Sequence, residues 1–255
     1  MKRCWNSLNI AFSMYSRLPA AQCDWSEETT KYVMCFFPWI GIVIGALCLG
    51  WDFLAGYCQM RDPLRNVVLM LIPIAVSGGI HLDGFLDTAD ALSSWRPREK
   101  RLEILKDSHA GAFAIIACAV YFFAMYGVVD SVRGGMVPVY IFTFVISRSL
   151  SAFSVVTFPK ASIKGTVAGF AKNSKTRIIQ TTVLIYLLIC GACMLVLQPS
   201  YAIGALLGAV AAFCWYHRMA MKDFGGINGD LAGCFLSVCE LAIPLGIVVS
   251  SILIK

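Results

Sequence analysis

The chain has 255 residues, of which 58% are hydrophobic and only 14% charged, whereas a soluble domain carries about 25% charged residues. That balance excludes an ordinary water-soluble enzyme and makes lipid the solvent for most of the chain. A formal net charge of +6 would suggest nucleic acid in a soluble protein, but here the positive residues crowd particular loops, so membrane orientation explains them and no nucleic-acid partner is expected.

Met1 to Pro19 begins basic and then turns apolar, but its hydrophobic core is short, it contains Arg17, and it lacks a small-residue cleavage pattern. It reads as an amphipathic helix at the membrane interface rather than a signal peptide. A helix crosses the hydrocarbon core with about 20 predominantly apolar residues, and lipid leaves helices or closed barrels as the only spanning structures. Long apolar runs favour helices. They occur at Tyr32 to Tyr57, Leu64 to Ile80, Ala110 to Val129, Met136 to Phe158 despite Arg148, and Leu231 to Ile254 despite Glu240. The uncharged stretch Ile178 to Tyr216 adds two spans divided at Gln198, Pro199 and Ser200. The expected fold is all-α, a single membrane-embedded domain over residues 1–255 with about six to eight helices. Most of the eleven cysteines fall inside apolar stretches without the Cys and His spacing of a zinc site, and read as reduced packing residues.

Between these spans lie three longer polar segments, His81 to His109, Pro159 to Arg177 and His217 to Asp230. Alternating spans put all three on one face. That face collects Arg96, Arg98, Lys100, Arg101, Lys106, Lys160, Lys164, Lys172, Lys175, Arg177, Arg218 and Lys222, against little beyond Arg61, Arg65 and Arg133 opposite. The positive-inside rule makes it cytoplasmic.

Gly78 to Leu92 reads GGIHLDGFLDTADAL, with Asp83, Asp87 and Asp90 at i, i+4 and i+7. On a helix these carboxylates share a face and repel, and a divalent cation turns that repulsion into coordination. Magnesium suits hard oxygen donors, retained waters and a phosphate. The competing reading is a solvated polar face beside a span, with His81 merely interfacial. Downstream, Ser108 is placed to cap the next helix; Asp107 beside His109 serves either as a charge at that helix start or as a further metal ligand. KDFGGINGDLAG sets Asp223 and Asp230 around Gly225, Gly226 and Gly229. Such a loop can wrap its amides around a phosphate, or simply turn the chain between helices. Arg148 and Glu240, inside spans, either pair structurally or line a polar site. Lys160 and Lys164 either neutralise a substrate phosphate or meet lipid headgroups.

GGIHLDGFLDTADAL, then RLEILKDSHAG, VISRS, and GGINGDLAG with Glu240 ten residues after Asp230, closely resemble the cobalamin synthase (adenosylcobinamide-GDP ribazoletransferase) family. Arg17-Leu18-Pro19 and Phe37-Pro38-Trp39-Ile40-Gly41 are similar to that family too, and the resemblance runs nearly the whole chain in order. It implies a magnesium-dependent enzyme of the bacterial cytoplasmic (inner) membrane. Such an enzyme joins adenosylcobinamide-GDP to α-ribazole or its 5′-phosphate, releases GMP, and forms adenosylcobalamin or its 5′-phosphate. By position it implies metal ligation by Asp83, Asp87, Asp90, Asp107 and Asp230 and catalytic roles for Asp83, Asp87, Arg148 and Glu240. His81, Lys160, Gly225, Gly226 and Asn228 fall to the substrate. Asn228 departs from the family's usual threonine, weakening any hydroxyl role there, and Lys160 stands where an arginine is expected, which removes bidentate phosphate recognition.

Two rivals differ in pattern. A CDP-alcohol phosphotransferase of phospholipid synthesis opens with two aspartates three apart and an Ala-Arg pair, which HLDGFLDTADAL does not reproduce. An ion-coupled transporter would place its ionisable residues near mid-membrane in broken helices, whereas the acidic cluster adjoins a span end. The lower-ligand base, the general base and the number of metal ions are not legible, and a homo-oligomer stays open.

Overall fold

The structure, a computed structural model, describes residues 2–23, 25–107, 109–161 and 174–254. The expected Ser108 cap and the positive charges of Lys164 and Lys172 lie outside these residues. Twelve α-helices are named here, in chain order. They are α1 (Lys2–Tyr15), α2 (Glu27–Thr30), α3 (Val33–Tyr57), α4 (Asp62–Ser77), α5 (Ile80–Ser93) and α6 (Arg98–Ile104), then α7 (Ala112–Ser131), α8 (Val137–Tyr140), α9 (Thr143–Thr157), α10 (Thr176–Leu197), α11 (Pro199–Met219) and α12 (Gly229–Leu253). Among the described residues no strand forms, and the one extended pairing is an isolated bridge between Lys160 and Ile227.

Six helical stretches are long and apolar enough to cross a membrane: Val33–Tyr57, Ala112–Ser131, Gly134–Thr157, Thr176–Leu197, Pro199–Phe224 and Gly229–Leu253. The protein is therefore an all-α, multi-pass membrane protein. Exposed Ile115, Val120 and Phe123 on α7, and Leu184, Leu188 and Val196 on α10, are the outward faces that lipid would cover. The stretches containing α9 and α12 are the most buried and form the centre of the bundle.

The expected span at Leu64 to Ile80 takes a different form. α4 stops at Ser77, and α5 departs at 95° to it. The break has a local cause: Gly78 and Gly79 both take left-handed backbone (φ +66° and +81°), and their amides close onto Ala75 and Ile74 carbonyls, a helix stop that only glycine accepts cheaply. Hydropathy alone does not register it, because Ile80 continues the apolar run. The side chain of Arg17 covers Gly78, while its amide donates to the Val76 carbonyl (2.8 Å). The polar segment that opens at His81 thus begins as helix α5, which carries the three spaced aspartates. α7 begins at Ala112, with Gly111 in the cap position. The span expected to end at Tyr216 runs on through α11 into a π-helical turn at Ala220–Phe224, a feature frequent near functional sites.

α1 packs Ile10 and Ala11 inward and leaves Trp5 exposed, as an interfacial helix should. At the end of the bundle away from α5, Arg65 pairs with Asp52 (2.6 Å) and donates to the Val132 carbonyl, while Arg133 bridges Asp62 (2.7 Å) and Asp130 (3.0 Å). Two of the three positive residues expected on that side are therefore neutralised.

Candidate active site

The acidic motif occupies α5, where helical geometry puts Asp83, Asp87 and Asp90 on one face. α5 lies directly against the start of α12. The contact depends on Gly84: a Cβ there would lie 2.6 Å from the Asp230 carbonyl oxygen. Close approach of the two helices brings Asp230 to the carboxylates of α5. Asp87 is partly buried here and, besides that desolvation, is repelled by Asp83, Asp230 and Asp90. None of these four forms an ion pair among the described residues.

Asp230 is also held from its own turn. Asn228 caps α12, its Oδ1 accepting from the Leu231 amide (2.9 Å) while its Nδ2 donates to Asp230 Oδ2 (2.9 Å). The side chain that replaces the family's usual threonine thus serves as cap and orienting donor.

Beside the carboxylates lies a cavity of about 260 Å³ between α1, α3, α5, α9 and α12. Asp83 and Asp230 are on its wall, and so is His81, whose Nε2 is shielded and finds no hydrogen-bond partner among the described residues. Tyr15, Phe37 and Ser151 complete its polar and aromatic lining. The rings are in mutual contact, Tyr15 to Phe37 at 4.6 Å and Phe37 to His81 at 6.0 Å between centroids. Nothing in the sequence marks Tyr15, Phe37 or Ser151 for this site. Phe37 stood within the Phe37-to-Gly41 motif, but only tertiary packing shows that it faces His81.

Other expected site residues fall elsewhere. Asp90 abuts Gly111 at the start of α7 and reaches the cluster through Asp87. Asp107 is exposed and accepts from both the ring and the amide of His109 (2.7 and 3.0 Å), bonds that hold its carboxyl below the usual range. It lies outside the cavity wall. Gly225 and Gly226 do not present free amides for a phosphate: both amides close onto the Ala220 carbonyl, Ile227 donates to Pro159, and Ala161 donates to Ile227. The glycine turn clamps the segment after α9, a use invisible while only neighbouring residues were considered. Arg98 packs over Gly225, and Arg101 pairs with Asp223 (2.6 Å). Lys160 is partly buried at this clamp and donates to the Phe158 carbonyl; burial pulls its ammonium below the ordinary lysine range.

Arg148 and Glu240 form an ion pair inside the bundle, with Ser147 bonded to both. Arg148 is fully buried and neither residue is on the cavity wall. Of the two alternatives left by the sequence, the pairing is the one seen here, and the pair lies behind this cavity rather than on its wall. Nε and Nη2 of Arg148 lack partners among the described residues, and its charge acts on His81.

The donor set suits magnesium chemically: carboxylate oxygens predominate, and among the described residues no cation pairs with them. Among the described residues no three His, Cys, Asp or Glu side chains are close enough to hold an ion unaided.

The family described as cobalamin-5-phosphate synthase matches residues 7–248. An adenosylcobinamide-GDP ribazoletransferase of Lachnoclostridium phytofermentans is 42% identical over 96% of this chain and 94% of its own. Proteins of the same description from Clostridium botulinum and Clostridium perfringens are 33% and 31% identical, covering 94% and 97% of this chain and 96% and 100% of theirs. No solved structure matches.

Proposed function

The chain belongs to the cobalamin-5-phosphate synthase family and is a membrane transferase of cobalamin synthesis, and we propose that its α5–α12 carboxylate site joins adenosylcobinamide-GDP to α-ribazole or its 5′-phosphate. A ribose hydroxyl oxygen forms a bond to the phosphorus bearing the cobinamide. The phosphoanhydride bond to GMP breaks, its electron pair leaves with GMP, and one proton is released to water. Because the family description places a phosphate at position 5 of the product, that position survives when the phosphorylated acceptor is used, and the nucleophile is another ribose hydroxyl.

The observation that carries this reading is that Asp83 and Asp230 reach one edge of a cavity from two helices, with Asp87 within their electrostatic reach and none of the three in an ion pair among the described residues. Asp83, Asp87 and Asp230 would hold magnesium, with Asn228 fixing the direction of Asp230. When bound, the ion would supply charge neutralisation for the diphosphate and polarisation of the phosphorus under attack. Asp90 reinforces the negative field at Asp87. Arg148 and Glu240 support the wall from behind, as positioning residues. The positive charge concentrated beside α5, α6 and α11 supports a cytoplasmic orientation in the bacterial inner membrane.

The test is to incubate the purified protein in detergent with adenosylcobinamide-GDP, α-ribazole and magnesium. GMP and a cobalamin should appear together, and only with both substrates. Absence of GMP from a folded preparation would overturn the assignment.

A further inference from the structure

Of the two substrates, one contains a corrin macrocycle and a guanosine diphosphate, and the other is a flat bicyclic base on a ribose. The cavity beside the carboxylates measures about 260 Å³, just under the roughly 300–1,000 Å³ that encloses a whole drug-sized ligand. It is too small for a corrinoid and holds one flat fused-ring base, and its ring and aliphatic lining favours the apolar base of α-ribazole over the more polar guanine.

Its lining is polarised. Tyr15, Phe37 and His81 supply aromatic rings, Val155 and Leu236 supply aliphatic wall, and Asp83 and Asp230 supply charge. An aromatic base gains from edge or offset contact with such rings, and carboxylates do not favour its apolar part.

Resting on the proposed transferase reading, we infer that this cavity is the acceptor subsite and takes the base of α-ribazole. The base lies among Tyr15, Phe37 and His81, and the ribose projects toward Asp83 and Asp230. The cobinamide and guanosine of the other substrate remain outside, with only its diphosphate meeting the carboxylates. The orientation brings an acceptor hydroxyl to the edge where the phosphorus is held, so that the bond-forming atoms meet at the α5–α12 contact. It also makes the subsite selective for the width and apolarity of the base.

The test fills the cavity from two different helices, with Val155→Phe on α9 and Ala232→Leu on α12, neither of which is assigned to the carboxylate machinery. Each protein is checked for wild-type elution and thermal unfolding in detergent. Binding of α-ribazole alone is followed by calorimetry, binding of adenosylcobinamide-GDP by its visible absorbance, and turnover by GMP release. The inference predicts that α-ribazole affinity and its KM worsen at least about tenfold in whichever variants remain folded, while adenosylcobinamide-GDP affinity stays within about twofold. A folded filled variant with unchanged α-ribazole affinity, or with selective loss of the corrinoid, overturns it while leaving the transferase reading intact. If both fillers unfold, Phe37→Leu decides by the same two affinities. A wild-type protein that releases no GMP with either acceptor defeats the transferase reading and this inference with it.

Discussion

Arg148 is a fully buried cation inside a mostly apolar bundle, and among the described residues the Glu240 carboxylate alone pairs with its charge. Removing one member of such a pair leaves an uncompensated charge, which costs about 3–5 kcal/mol, whereas replacing both with apolar residues is often neutral or stabilising. Arg148→Leu and Glu240→Leu should therefore each lower the unfolding midpoint sharply, and the double variant should recover it. Since neither residue touches the cavity, the recovered protein should regain a measurable part of its turnover. Thermal unfolding in detergent with GMP release on both singles and the double checks this; a stable but wholly inactive double variant would return the pair to a direct catalytic role. The identities of both residues were legible in the sequence, because charges inside spans are conspicuous. Their separation from the cavity was not, since it depends on side-chain direction within α9 and α12. Asn228 was similarly visible as a departure from threonine, while its bond to Asp230 required the turn geometry.

At the scale of elements, the site exists because α5 and α12 approach closely, and small residues are what permit such approach between membrane helices. Gly84→Val should push Asp230 away from Asp83 and Asp87. Overpacking of this kind costs about 1–3 kcal/mol, and a larger effect on turnover is expected because the carboxylate spacing changes. Gly50→Val is the matched control, as a Cβ there meets nothing within 4 Å. Unfolding midpoints and GMP release should separate the two variants, and equal behaviour would remove the close contact from the account. Most spans were readable because hydropathy reports length and composition. The α4–α5 break was not, because two left-handed glycines interrupt a run whose apolarity continues. The two readings of the glycine turn after α11 could not be separated in the sequence for a related reason: its partner is the distant segment Pro159 to Ala161, which no local window contains.

For the whole molecule, the carboxylates, the cavity and most basic side chains gather at one end of the bundle, while Arg65 and Arg133 are tied to acids at the other. A site of this kind works only if its end faces the compartment that supplies nucleotide substrates. Reporter tags at Glu99 and Lys222 should both register the cytoplasm and one at Gln59 the opposite side; a split between Glu99 and Lys222 would break the single-sided site. The general architecture follows from composition, since so few charges leave little choice but lipid. The cavity walls do not, because Tyr15, Phe37 and His81 come from three different helices. The most direct measurement is magnesium-dependent GMP release by wild type, Asp83→Asn and Asp87→Asn, each reconstituted in lipid with both substrates. The account predicts turnover in wild type that EDTA abolishes, and a loss of at least about 100-fold in either variant without loss of folding. Wild-type rates in both variants would contradict it.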